Sequence, residues 1–384
     1  MKLVTLDTAV LNVNARTNWI FVRARLDDGA GGVGEASLNG WEALVRAYCA
    51  QLADHFRGRD LADVRAQLAT YPHSPGGLIA SAAKSAIEQA LVDAEGRSRG
   101  VPAWQLLGVK RRHRVPVYAN INRATTDRSP DGCAQSAQRA LAQGFRAVKI
   151  APFDGVLPDA LDRAETQRAI DLGIERVVAI RNAIGPMPRL MIDCHWRFDT
   201  PTAHRVLERL ADVQLHWLEC PVSEHPSFHD DLTALRAAAN AQGTMIAACE
   251  LQTSVAGFRP FVAPRRVDVI MPDVKYAGGM AELVRIAEFA HANGVRFSPH
   301  NPTGPVCTYA SLHAAAAAVD CESLELQVGE SDVYFDVVGG ARPEFVDGAF
   351  IVPDTPGLGV ALDDAVLAAH PERRVAAGLD ERLG

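Results

Sequence analysis

Three short stretches decide how this chain is read: Met191-Ile192-Asp193-Cys194-His195-Trp196-Arg197, Trp217-Leu218-Glu219-Cys220-Pro221 and Ile246-Ala247-Ala248-Cys249-Glu250. In each, a short apolar run ends in one carboxylate. Apolar runs of this length, separated by helical patterns, read as buried parallel strands, and a charge at the C-terminal end of such a strand needs a reason. Asp193, Glu219 and Glu250 would supply three hard oxygen ligands to one divalent cation of the magnesium type. Their separations, 26 and 31 residues, suit the βα units of a TIM barrel, whose active site lies at those strand ends. The competing reading is three unrelated surface carboxylates, but exposed acids rarely terminate apolar runs three times in succession.

The same rhythm continues on both sides. Residues 115–121 read as a strand with Asn120 and Asn122 at its end, a helix covers 130–144, and the strand 147–151 carries Lys149. A helix over 159–184 leads into the Asp193 strand. Strands then recur at 215–219, 244–250, 267–272, 295–300 and 323–328, giving eight in all, alternating with helices as in a TIM barrel. Upstream, residues 2–13, 19–26 and 31–35 read as antiparallel strands with a turn at Asp27-Asp28-Gly29, followed by helices over 41–56 and 79–99. Gly100 and Pro102 stop the second of these helices. The expected organisation is an α+β unit over 1–113, a barrel over 114–335, and a Gly- and Pro-rich segment over 336–384 that packs back on the first unit. Residues 15–18 and 37–40 are lid candidates or ordinary hairpin loops.

At 384 residues the chain is long enough for a barrel and a second unit. A net charge of −7 argues against a nucleic-acid footprint. No basic segment with an apolar stretch opens the chain, and no run of 18 apolar residues occurs, so neither secretion nor membrane spanning is expected. Seven cysteines without a CxxC pattern point to reduced, buried thiols in the cytoplasm.

A site of this kind needs a base and an acid beside the cation. His300 ends one strand and Asp273 the preceding one, so the carboxylate would fix the imidazole tautomer and raise its basicity. The alternative for His300 is a turn residue before Asn301-Pro302. His195, two residues beyond Asp193, shares its side of the strand and suits a general acid; Arg197 extends the same parity toward a substrate hydroxyl or carboxylate, or is a solvated loop residue. Lys149 sits on an apolar strand, where an unpaired lysine is costly. It reads as an opposite-side base, an anchor for the substrate carboxylate, or a rim residue.

Taken together, these motifs resemble the enolase superfamily, in its mandelate racemase subgroup. The likeness runs over nearly the full length: Gly32-Val33-Gly34-Glu35-Ala36, then Ala86-Ile87-Glu88-Gln89-Ala90-Leu91-Val92-Asp93 with the segment from Gly100 to Gly108, then the barrel motifs. The resemblance implies an α/β fold, a (β/α)7β modified TIM barrel with an α+β N-terminal capping domain, and one Mg2+ per subunit held by Asp193, Glu219 and Glu250. In that subgroup a Lys-x-Lys at the end of the second strand supplies one base in racemases and several dehydratases; Lys149 matches the first lysine, but Ala151 stands in place of the second, which argues against two-base 1,1-proton transfer. The His195 and His300 segments look like those of acid-sugar dehydratases such as galactonate and mannonate dehydratase. There the equivalent of His300, backed by that of Asp273, removes the proton next to the carboxylate, and the equivalent of His195 protonates the departing 3-hydroxyl. Relatives place a Glu directly after a Gln on the eighth strand; here Val328 follows Gln327. Glu330, of the same parity as 328, is the expected substitute; Glu325, of opposite parity, fits less well unless a bulge reverses its side.

The reading is therefore dehydration of an aldonic or aldaric acid. Its rivals are a hydroxy-acid racemase or epimerase, a cycloisomerase, and a silent metal-binding relative. Substrate contacts are expected from Arg197, Asn120, Asn122, Glu330, and the capping loops around Trp19, Asn39 and Trp41. The expected partner is a small carboxylate substrate, with a symmetric homo-oligomer as the prior for such enzymes.

Overall fold

The computed structural model describes residues 1–70 and 77–375. An antiparallel sheet of β1 (Leu3–Asn12), β2 (Asn18–Leu26) and β3 (Gly31–Glu35) opens the chain. Helices α1 (Glu42–Phe56), α2 (Leu61–Thr70), α3 (Gly77–Arg99) and α4 (Ala103–Leu107) follow it. Helix α3 lies directly on β3, because a Cβ at Gly32 or Gly34 would run into the backbone of Ala90 or Ala86. Alanines on the facing side of α3 make this approach close enough to bury the helix along most of its length.

Eight parallel strands follow: β4 (Arg114–Asn120), β5 (Ala147–Ile150), β6 (Arg189–Asp193), β7 (Trp217–Glu219), β8 (Met245–Ala248), β9 (Val269–Ile270), β10 (Arg296–Phe297) and β11 (Leu324–Gln327). Each of the seven connections carries a helix, in order α5 (Pro130–Ala142), α6 (Ala164–Ile184), α7 (Thr200–Arg209), α8 (His229–Ala241), α9 (Ser254–Val262), α10 (Met280–Ala292) and α11 (Pro305–Ala317). The sheet runs from β4 in sequence order to β10, and β11 pairs with β4. Between β10 and β11 the amides of Glu322 and Glu325 donate to the carbonyls of Phe297 and Pro299 at 2.8 and 3.1 Å, which bridges the last gap in the ring. The strands β9 and β10 are shorter than their apolar runs suggest. Pro272 and Pro299 lack the N–H that would continue each ladder, and the chain turns there into the site.

Side chains of alternate residues fill the ring: Tyr118, Ala147, Met191, Trp217, Ala247, Val269 and Met271 form a separate cluster. Tyr118 meets Trp217 edge to face at 5.5 Å, an arrangement worth about 0.5–1.5 kcal/mol beyond its buried area. After the ring come α12 (Val333–Asp336), a hairpin of β12 (Phe345–Val346) and β13 (Ala349–Ile351), and α13 (Asp364–Ala369). Strand β13 pairs antiparallel with the first residues of β4. Beyond it, Gly357 pairs with Val101, Leu358 donates to Asp93 at 2.7 Å, and His370 accepts from Asn12 at 2.9 Å. None of the described helices is long and apolar enough to cross a membrane. All seven cysteines are buried and unpaired.

Candidate active site

Asp193, Glu219 and Glu250 converge at the C-terminal mouth of the ring, with one oxygen from each lying within 4.8 Å of the others, and all three are buried. Asp193 and Glu219 end β6 and β7 in register. Glu250 comes two residues after β8, and it is the turn at Cys249, with φ at +79°, that brings its carboxylate inward. Its Oε2 is buried and accepts no hydrogen bond, with His300 Nε2 beside it at 3.3 Å. A buried acceptor left open among three hard oxygen donors fits a divalent cation.

Lys149 lies beneath this group. Its ammonium donates to Glu219 Oε1 at 2.6 Å and sits 3.0 Å from Glu325 Oε1 and 3.9 Å from Asp193 Oδ2. Burial opposes the ammonium charge, but the Glu219 and Glu325 carboxylates more than offset this and hold it well above the ordinary lysine range. Burial raises Glu219 to about 8 even with Lys149 alongside. Too many acids are crowded here for one lysine to neutralise.

The Asp273 and His300 backbones are bridge-paired, and His300 Nδ1 lies 2.9 Å from Asp273 Oδ2. That contact turns the other ring nitrogen, Nε2, toward the acids, 3.3 Å from Glu250 Oε2 and 3.8 Å from Glu325 Oε2. Desolvation works against an imidazolium here, but Glu250, Glu325 and Asp273 outweigh it and raise the His300 pKa. His195 lies in the turn after β6, four strands round the eight-stranded ring from β10, which precedes His300, and hence across the mouth. Its Nε2 is 3.0 Å from Asp193 Oδ2, and that carboxylate overcomes desolvation to raise His195 to about 9.

Several expected contacts lie elsewhere. The strand parity invoked for residues 193–197 ends at Asp193, because His195 and Trp196 are left-handed at φ +48° and +56°. The turn keeps His195 on Asp193 and sends Arg197 away to the Val156 carbonyl, at 2.8 Å. Asn120 donates to Glu325 at 2.7 Å, and Asn122 accepts from Arg128 at 3.0 Å, so both are spent inside the protein. Trp19 lies within β2 rather than in a loop, fully buried against the Tyr334 ring. Trp41 packs partly buried on the capping-domain core. Asn39 keeps a buried Oδ1 without a partner.

Glu325, rather than Glu330, occupies the eighth-strand place. Its register with Tyr118 turns it into the ring, where it meets Lys149, Asn120 and the amide of Asn301, the last at 3.0 Å. Glu330 lies beyond the strand, accepting from Arg123 at 2.6 Å and Thr17 at 3.1 Å, and so tethers the loop between β1 and β2. Two groups escaped the sequence reading. Lys275, fully buried, binds Asp273 through both its ammonium and its amide, although a lysine two residues past a strand reads as solvated. Glu224 accepts from Trp196, Cys249 and Gln252 at 3.2, 2.9 and 3.0 Å, tying the His195 and Glu250 turns together; no periodicity marks it.

Residues 3–108 match the family described as Mandelate racemase / muconate lactonizing enzyme, N-terminal domain, and residues 132–366 match Enolase C-terminal domain-like. The chain is 31% identical over 377 residues to a D-xylonate dehydratase of Haloferax volcanii, covering 95% of this chain and 88% of that protein. It is 30% identical to a D-galactonate dehydratase of Xanthomonas axonopodis pv. citri, covering 94% of this chain and 93% of the other. Among solved structures, a Burkholderia xenovorans strain LB400 protein provisionally named an L-alanine-DL-glutamate epimerase, bound to magnesium and fumarate, superposes with a TM-score of 0.85. It is 25% identical, and the match covers 100% of this chain and 99% of that one.

Proposed function

The chain belongs to the enolase superfamily, and on that premise we propose that it dehydrates an aldonic or aldaric acid to a 2-keto-3-deoxy acid. The observation that carries this reading is the placement of His300–Asp273 and His195 on opposite sides of one acidic triad. The dehydratase names of two curated relatives support it. Mg2+ is the proposed cation, held by Asp193, Glu219 and Glu250; when bound it would stabilise the negative charge that develops on the substrate carboxylate.

His300 takes the C2 proton at Nε2, while Asp273 accepts from Nδ1–H and holds that tautomer. His195, whose Nε2 lies beside Asp193, gives a proton to the 3-hydroxyl as the C3–O bond breaks. Water leaves and the resulting enol ketonises. Lys149 balances charge among the acids, and Glu325 holds both Lys149 and the amide following His300. Lys149 is enclosed by Glu219 and Glu325 and so is not free to serve as the second base of an epimerase.

A library of sugar acids, screened with Mg2+ and with chelator for 2-keto acid formation, and repeated in D2O, tests this. A 2-keto-3-deoxy product that appears only with metal is expected. Deuterium at C2 with inverted configuration and no keto acid would instead establish epimerisation.

A further inference from the structure

Both halves of the His300–Asp273 pair precede helices that cannot cap themselves. After His300, residues 301–304 lead into α11, whose N-cap is Gly304 and whose first residue is Pro305. After Asp273, residues 274–279 lead into α10, whose N-cap is Gly279. Neither glycine has a side chain to accept from the first-turn amides, which would be left unsatisfied in a buried place.

Carboxylates of the capping domain take that role at both helices. Glu35, at the end of β3 and fully buried, accepts from the amides of Gly304 and Cys307 at 2.8 and 3.1 Å and from Ser37 Oγ at 2.8 Å. Glu88 of α3 accepts from the amides of Met280 and Ala281 at 2.7 and 3.2 Å. A Cβ at Gly304 or Gly279 would collide with the carboxylate that serves it, so each glycine is what admits the foreign cap. Gln89 links the two arrangements, accepting from the Glu35 amide at 3.1 Å and donating to the carbonyl of Val274, next to Asp273, at 3.5 Å.

We propose that Glu35 and Glu88 are positioning residues for the base, so that docking of the capping domain sets the geometry of His300 and Asp273. This rests on the dehydratase reading for its kinetic consequence but not for its structural one. The effect on His300 is local: three residues separate it from the Glu35-capped amide of Gly304, and Asn301 in that link is also held by Glu325 and Thr308. Misplacement of a base by about 1 Å can cost on the order of 100-fold in rate.

The test is a pair of variants. Glu35→Ala removes the foreign cap, and Glu35→Ala with Gly304→Ser supplies a cap from the helix itself in the space vacated. The N-cap backbone of residue 304, at φ −83° and ψ 179°, already suits serine. On a substrate found in the screen, the single variant should lose about 10- to 100-fold in kcat with KM changed less than about threefold, and the double variant should recover most of the loss. Crystal structures of both read the same point without substrate: the His300–Asp273 contact should open beyond about 3.5 Å in the single variant and close again in the double. Glu35→Gln, with one acceptor instead of two, is the milder substitute if alanine prevents folding. An unchanged kcat and an intact His300–Asp273 contact in a less stable Glu35 variant would overturn the proposal. So would a folded double variant in which neither kcat nor the contact returns. Should no sugar acid turn over in the wild-type protein, the dehydratase reading fails while the crystallographic arm still decides this one.

Discussion

Lys149 holds Glu219 and Glu325 together, so removing the Glu325 charge leaves a buried ammonium short of one partner and frees the amide beside His300. Glu325→Gln should lower kcat by about 100-fold, the scale expected for a group that stabilises charge at the reacting centre. Glu330→Gln changes a group bonded to Arg123, Asn14 and Thr17 among the described residues, and should raise KM while leaving kcat within about threefold. Steady-state kinetics of the two variants separate them; equal kcat losses would contradict these roles. The same pair marks where residue-level reading stops. Asp193 and Glu219 are legible because an acid closing an apolar run at a strand end has few other uses. Glu325 is not, since its inward direction comes from pairing with Tyr118, and the Gln327-Val328 sequence directs attention one residue out of phase. Glu250 is legible by the same rule as Asp193 and Glu219, although it faces inward through a left-handed Cys249, a turn that leaves no trace in a hydrophobic pattern.

At the level of strands, one acid at the end of the ring opposite the site gathers side chains from three strands. Glu322, just before β11, receives Arg189 and Arg296 at 2.7 and 2.6 Å and His216 at 3.0 Å, residues that begin or precede β6, β10 and β7. The His216 hydrogen bond and the two arginines bring its carboxyl down to about 2. The folded state therefore binds this proton less readily than the unfolded chain. The resulting stability is present above the ordinary value of 4.5 and is lost as pH falls toward 2. Both arginines are about half exposed, so screening leaves about 1–2 kcal/mol of it. Glu322→Gln should lower the thermal midpoint at pH 7 by a few °C, and the gap to wild type should narrow between pH 5 and 3. A gap that is constant with pH would dismiss the ionic account. The eight strands themselves were readable from their apolar runs, but this floor was not, because its members are far apart in sequence and each looks like a surface charge.

Across the whole molecule, capping domain, barrel and C-terminal segment meet at His313 of α11. This fully buried ring lies 3.3 Å from the amide of Trp104 through Nδ1 and 3.3 Å from the carbonyl of Leu358 through Nε2, so it accepts from one and donates to the other as the neutral tautomer. Desolvation, with Lys110 adding to it and Leu358 and Asp354 opposing, lowers its pKa from 6.5 to about 4. Below 6.5 the unfolded chain takes up a proton that the folded one refuses, so stability falls as pH drops from 6.5 toward 4, by about 2 kcal/mol between pH 7 and 5. His313→Gln should be less stable at pH 7 yet lose less on acidification, as denaturant titrations at the two pH values would read. An equal acid loss in both proteins would clear His313 of the effect. The order of the units was legible from composition and rhythm. Their mutual grip was not, because it is made by single polar groups such as Asp93, Glu35 and His313 inside apolar surroundings.

The foreign caps on α10 and α11 also limit how freely such a protein can be recombined. A capping domain taken from a relative to change substrate choice must bring a carboxylate to the places of Glu35 and Glu88, or leave four backbone amides, those of Gly304, Cys307, Met280 and Ala281, without acceptors. At about 1–3 kcal/mol for each buried orphan, a chimera that ignores them gives up much of the stability of an ordinary domain. Inheritance of the two halves is thereby tied: the acids on β3 and α3 and the glycines that receive them have to travel together.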